Sequence, residues 1–290
     1  MQNYTLVKNY RNDAALRASF NELAGKTFGL SFEDWYQNGF WGEQYDPYSI
    51  VIGEKVIANV SVNLTDFFWN GVKRSFIQLG TVMTEEGFRN QGLIRRIMEE
   101  IEKDFGDKTE GMYLFANDSV LEFYPKFGFK SAVQKQFTGK VCAHLPGSMH
   151  QVPMKDKKDW DKFLGAVRES VPQGRLELSG NEGLIMFYVT KFMQENVYYS
   201  EDLQAYAIAQ TEGDELLLYQ VFAREKVELQ RVAEAFGSSI RRVTFGFTPE
   251  NREGYQGEVL RMEDTTLFLK GEGLSNFQDE GLMFPLLAYA

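Results

Sequence analysis

The chain has 290 residues, enough for two domains rather than one small core, with a formal net charge of −10, one cysteine and two histidines. The acidic balance repels phosphates and argues against nucleic acid as a partner. The lone Cys142 excludes an internal disulfide and fits a reducing compartment, and His144 and His150 leave little from which to build a metal site or a Ser-His-Asp triad.

No apolar run reaches bilayer length, and Met1–Thr5 lacks the basic and apolar regions of a secretory signal, so the expectation is a cytoplasmic protein with no membrane partner. The first half opens with a strand over 3–9. Asp13 is the N-cap of a helix running to about Ala24, with Leu16, Phe20 and Leu23 at helical spacing. A second helix starts at Ser31, in a segment rich in aromatics from Phe32 to Tyr48. Strands over 49–52 and 56–64 follow. Asn70-Gly71 then marks a type I′ hairpin turn, because both residues tolerate positive φ. The result is an antiparallel meander whose third strand runs through Phe76–Thr84.

After that strand come Glu85-Glu86-Gly87-Phe88-Arg89-Asn90-Gln91-Gly92, a polar loop with two glycines, and then Leu93, Ile94, Ile97, Met98 and Ile101 on one helical stripe. A strand, a glycine-bearing loop and a helix start form a natural anion site. The first turn has backbone N–H groups without partners, and the macrodipole is positive there. Gly92 admits a ligand close to the backbone, and Arg89 adds a fork of donors for phosphate oxygens. No Gly-Lys-Ser/Thr follows, which excludes a P-loop, and the glycine triplet of a dinucleotide fingerprint is missing.

The loop Arg89-Asn90-Gln91-Gly92-Leu93-Ile94 resembles the Arg/Gln-x-x-Gly-x-Gly/Ala signature of the GNAT acetyltransferases, with Ile94 in place of the usual small residue. A second run, from Asn117 through Phe123-Tyr124 to Gly128-Phe129, resembles the later GNAT motif, in which a strand ends at Asn and a short helix carries a Phe-Tyr pair. The resemblance covers residues 1–140. It implies an acetyl-CoA site with the pantetheine arm on the main chain of Val82, Met83 and Thr84, and the diphosphate on Arg89, Asn90, Gln91, Gly92, Leu93 and Ile94. Asn117 and Phe123 complete the cofactor side. Tyr124 is the acid that protonates the departing thiolate. The acceptor is a small amine, for which the negative net charge favours a cationic one. No metal is expected, and a homodimer is left open. In many members a Glu on the central strand takes the amine's proton; here Gln78 stands nearest. The apolar end of the chain, Met283–Ala290, suggests a buried tail whose Ala290 carboxylate enters the cleft.

The second half begins after Pro146-Gly147-Ser148, so the expected division is 1–145 and 146–290. Helices are predicted near Trp160, Phe163 and Leu164, over 183–195 and over 225–236. Strands are predicted over 203–210, 215–222 and 240–247, with a last hairpin pairing 259–262 to 266–270. This order echoes the first half and predicts a diverged second GNAT-like domain. The fold class is therefore α/β (α+β), with a mixed, mostly antiparallel sheet, flanking helices and a second α+β unit. The second half has no phosphate loop: Gln220–Lys226 lacks glycine and carries Glu225, so one cofactor site per chain is expected.

Overall fold

A computed structural model describes residues 4–142 and 147–289. His144, Pro146 and Ala290, singled out above, lie outside the described residues.

The first half builds a twisted sheet. β1 (Thr5–Val7) leads to α1 (Ala14–Phe28) and α2 (Glu33–Gln37), then to β2 (Tyr45–Ile52), β3 (Lys55–Trp69) and β4 (Val72–Thr84). α3 (Leu93–Phe105) crosses to β5 (Met112–Ala116), and β6 (Lys130–Ala132) follows. Asp13 caps α1 by accepting from Ala15 N and Leu16 N, and the helix runs past Ala24 to Gly29, which ends it at φ 69°. The β3–β4 turn has Asn70 at φ 50° and Gly71 at φ 79°, as a type I′ hairpin requires. α3 lays Leu93, Ile97, Met98 and Ile101 against Val60, Val62, Leu79 and Leu114 on one face of the sheet. On the opposite face Phe20, Phe32, Trp35, Trp41 and Tyr45 form an aromatic core with Met83.

β7 (Lys135–Lys140) closes the first half, and the second half contributes β8 (His150–Gln151), α4 (Lys157–Glu169), β9 (Gly174–Ser179) and α5 (Glu182–Lys191). Next come β10 (Val197–Ser200), β11 (Ala205–Glu212), β12 (Glu215–Ala223), α6 (Leu229–Glu234) and β13 (Arg242–Phe245), then β14 (Thr248–Pro249), β15 (Gln256–Val259) and β16 (Thr266–Lys270). The first half's order recurs: an antiparallel meander, a crossover helix and a parallel strand. β12 pairs parallel with β13 across α6, as β4 does with β5 across α3.

The two sheets do not divide at residue 145. Their strand orders are β1-β2-β3-β4-β5-β16-β6 and β15-β7-β13-β12-β11-β10-β8, with β9 and β14 extending the first from β3. The halves thus interleave, one strand of the first joining the second sheet and β9, β14 and β16 joining the first. β7 leaves β6 for the second sheet, and β16 returns from the chain's far end to lie between β5 and β6. The expected hairpin of 259–262 with 266–270 is not formed. Leu267 and Phe268 are buried in the first sheet, whereas every residue of β15 is exposed, so the two segments belong to different environments. α6 is also shorter than the predicted 225–236, because Val227 N donates to Gln173 Oε1 at 3.0 Å instead of entering a helix. Among the described residues no helix is long and apolar enough to cross a membrane.

Candidate functional site

The site is built where β4 leaves β5. The parallel pairing runs Ile77–Met112, Gln78–Tyr113 and Leu79–Leu114 and then stops, although both strands continue. The cause is a bulge on the other side of β4. Asn59 pairs with Met83 and Ser61 with Gly80, so Thr81 and Val82 together face the single residue Val60. Thr81 sits at φ 47°, an unfavourable conformation for a β-branched residue.

Buried side chains hold it there. Asn59 Nδ2 donates to Thr81 O and to Ser61 Oγ, each at 2.9 Å, and Asn59 Oδ1 accepts from Ser49 Oγ at 2.8 Å. The Tyr45 and Thr81 hydroxyls bond at 2.6 Å. Sequence reasoning missed Asn59, Tyr45 and Thr81. The signal available was Gly80, a glycine inside a strand pattern.

The opening leads to the start of α3. A 3₁₀ turn at Glu86–Phe88 is followed by Asn90 at φ 62° and Gly92 at φ 75°, the N-cap of α3. No side chain caps this helix, and its first turn holds no acid, whereas Asp13, Asp156 and Asn181 cap α1, α4 and α5. The helix thus presents its positive end and its free N–H groups uncompensated. A Cβ on Gly92 would meet nothing within 4 Å, so the space above it is open. Arg89, Asn90, Gln91 and Gly92 are exposed, Leu93 is buried and Ile94 is half-buried against the α3 core. Arg89 Nε reaches Thr84 O at 3.4 Å, and Gln91 Oε1 accepts from Tyr4 Oη at 2.8 Å.

Across the opening, Asn117 is exposed just past the end of β5. The expected short helix carrying Phe123 and Tyr124 is instead two 3₁₀ turns, Asp118–Val120 and Tyr124–Phe127. Pro125 supplies no N–H, and Gly128 at φ 85° ends the second turn, so no α-helix can develop. Phe123 is half-buried and meets Tyr124 edge-on. Tyr124 is 5% exposed, packed against Phe129 and Phe268, and burial pushes its phenol up to about 12. Among the described residues no hydrogen bond reaches its hydroxyl. At neutral pH it holds a proton.

The predicted residues therefore come together on three adjoining segments: Val82, Met83 and Thr84 on the splayed strand, the Arg89–Ile94 loop, and Asn117, Phe123 and Tyr124 beyond β5. Met83 differs in aspect, since its side chain is buried in the aromatic core. The early aromatics Phe32, Trp35, Trp41 and Tyr45 are core as well. Gln78 is fully buried and accepts from Asn63 Nδ2 at 3.3 Å. The tail crosses the same face: Phe284 stacks on Tyr113 at 4.0 Å and Tyr289 on Phe115 at 3.6 Å, beside the point where the strands part. Glu85 lies between Lys26 and Lys55, each at 3.7 Å. Among the described residues no group of three or more His, Cys, Asp or Glu could hold a metal ion.

Comparison with known proteins bears on this geometry. Residues 11–129 match the model of the acetyltransferase (GNAT) family. No curated protein matches the chain. Among solved structures, a protein of unknown function from Enterococcus faecalis, described as a "Probable N-Acyltransferase", is 16% identical with a TM-score of 0.64, over 95% of this chain and 74% of that one. Eis1 from Mycobacterium abscessus is 11% identical with a TM-score of 0.56, over 91% and 72%. A GCN5-related N-acetyltransferase from Kribbella flavida is 16% identical with a TM-score of 0.55, over 92% and 70%. At these identities the likeness is one of fold, and it spans both sheets. The first half of the chain thus carries a GNAT acetyltransferase domain, residues 11–129, and the chemistry of that family is acyl transfer.

Proposed function

We propose that the protein is an N-acetyltransferase that moves the acetyl group of acetyl-CoA to a primary amine of a small molecule or peptide, by direct attack in a ternary complex. The observation that carries this reading is the parting of β4 from β5 after Leu79, which opens onto the uncapped, acid-free start of α3. The residues present fit the coenzyme: a strand edge for an amide-bearing arm, open space over Gly92, and a positive helix end for a diphosphate.

The coenzyme, when bound, supplies an acetyl thioester. Val82, Met83 and Thr84 would offer main-chain partners to its arm, and a main-chain N–H near Met83 would polarise the carbonyl under attack. Arg89, Asn90, Gln91, Gly92, Leu93 and Ile94 hold the diphosphate, while Asn117 and Phe123 line the arm's other side. Holding both reactants in one cleft supplies the proximity. Tyr124 Oη would give its proton to the leaving sulfur as the C–S bond breaks, and the proton shed by the newly acylated nitrogen would pass to solvent water, from which the phenol regains its own. The attacking amine must be neutral, and Gln78 cannot take its proton.

That glutamine favours a second reading, a protein that binds acetyl-CoA or an amine without turnover. Thiol release from acetyl-CoA with a panel of polyamines, aminoglycosides and amino-terminal peptides separates the two. Release with any of them supports the enzyme. Thermal stabilisation by acetyl-CoA with no release across the panel supports binding alone, and neither effect removes both readings.

A further inference from the structure

A cavity of about 210 Å³ lies between β9, the start of α5, the end of α4 and β12, with Pro285 and Leu287 closing one side. It belongs to neither the splayed strands nor the α3 loop. Its wall on the first sheet is Phe68, paired with Glu177 of β9, whereas the bulge faces Val60. The two positions are roughly 25 Å apart along β3.

One end of the cavity is polar and buried. Glu177 is 5% exposed and Gln220 is 3% exposed. Glu177 Oε2 accepts from Gln173 N at 2.7 Å and from Gly174 N at 2.8 Å. Gln220 Nε2 has no hydrogen-bond partner, the one buried side-chain polar atom so left among the described residues. A buried donor left unmade is costly, and proteins keep few of them. The other end is apolar, formed by Phe68, Ile185, Phe222 and Leu287. The mouth is a surface ion pair, Arg168 with Glu182 at 3.7 Å, whose side chains are free to move aside.

We infer that this cavity is a second ligand site, made for a small neutral carboxamide. Its oxygen accepts from Gln220 Nε2, its N–H donates to the Glu177 carboxyl, and its apolar body lies against Phe68, Ile185, Phe222 and Leu287. The alternatives fit less well. An ammonium has no acceptor for Gln220, and a carboxylate has no donor for Glu177 and is repelled by it. Burial pushes the Glu177 carboxyl up to about 7 against the pull of its two backbone donors, of the Gln220 side chain, which lies near it without a well-formed hydrogen bond, and of the Lys226 charge, so it is present in both protonation states near neutrality. An amide, being donor and acceptor, pairs with either state. A cavity of about 150 Å³ holds benzene, so this one accommodates a benzene ring with a carboxamide.

Benzamide is the probe, titrated into the full chain by calorimetry and soaked into crystals, with benzylamine and benzoate as controls. Benzamide is expected to bind one to one in this cavity, with both controls weaker. Gln220→Leu should weaken it about tenfold, the factor a single hydrogen bond is worth. Gln220→Met, closer in shape, should do the same, and neither variant should alter acetyl-CoA affinity. The inference is overturned if saturating benzamide gives neither heat nor density in the cavity. It is also overturned if the Gln220 variants bind benzamide as well as the parent, or if a high-resolution structure shows Gln220 Nε2 bonded directly to Glu177.

Discussion

Asn181 Nδ2 donates to Asn63 Oδ1 at 3.1 Å, tying the start of α5 to the third strand of the first sheet. The same asparagine caps its helix, accepting from Leu184 N at 3.1 Å, and Asn63 passes the chain on to Gln78. Three buried amides thus run from the second half to the central strand. Asn181→Ala removes the cap, about 1 kcal/mol, and strands the Asn63 carbonyl, a further 1–3 kcal/mol or so. Urea unfolding should show a loss of about 3 kcal/mol; a loss under about 1 kcal/mol would mean the link carries little.

The α3 loop separates binding from folding. Gly92→Ala forces an L side chain to φ 75°, costing about 1 kcal/mol, and puts its Cβ in the open space proposed for the diphosphate. Acetyl-CoA affinity should fall by about tenfold or more, beyond what the modest stability loss explains. Arg89→Ala, at an exposed position, should weaken the coenzyme with no change in Tm. Equal calorimetric affinities for parent and both variants would remove the loop from the site.

Tyr124 is tested by deleting one oxygen. Tyr124→Phe keeps the packing against Phe129 and Phe268 and removes only the hydroxyl, which holds its proton up to about 12. Steady-state kinetics should show kcat down by about a hundredfold with KM for acetyl-CoA nearly unchanged. Parent-like kcat would take the phenol out of the reaction.

Glu177 should imprint the pH dependence of stability. Burial raises its carboxyl from 4.5 unfolded to about 7 folded, so the fold favours the neutral form. Its contribution is fully present below pH 4.5 and is lost as pH rises to about 7, a change of about 3 kcal/mol. Glu177→Gln cannot titrate, and its Oε1 can still accept from Gln173 and Gly174. From pH 4 to 8 the parent's stability in urea should therefore fall by about 3 kcal/mol relative to that of the variant as pH rises; parallel curves would place the group's titration elsewhere.

Local chemistry made much of the first half legible. Asn70-Gly71 dictates its turn, Asp13 its cap, and the Leu93–Ile101 stripe its helix, because each depends on neighbours in sequence. The bulge at Thr81 was not legible, since it is fixed by Asn59 and Tyr45 from two other strands. The exchange of β7 and β16 was hidden for a related reason. Two sheets of like order offer equivalent edges, and the choice between them is made by burial of Leu267 and Phe268 rather than by the turn at Glu263-Asp264. The 3₁₀ turns around Tyr124 follow from Pro125, which the motif's likeness to a helix obscured. That Val82–Thr84, Arg89–Ile94 and Asn117–Tyr124 border one opening followed from strand order, since β4 and β5 run parallel as neighbours before they part.

The most direct measurement is a crystal structure grown with excess CoA. The diphosphate is expected at the N-terminus of α3, with oxygens at hydrogen-bonding distance from the amides around Gly92, and the pantetheine arm between Val82–Thr84 and Asn117. Density for the coenzyme elsewhere, or β4 and β5 closed together with nothing between them at saturating CoA, would contradict this placement.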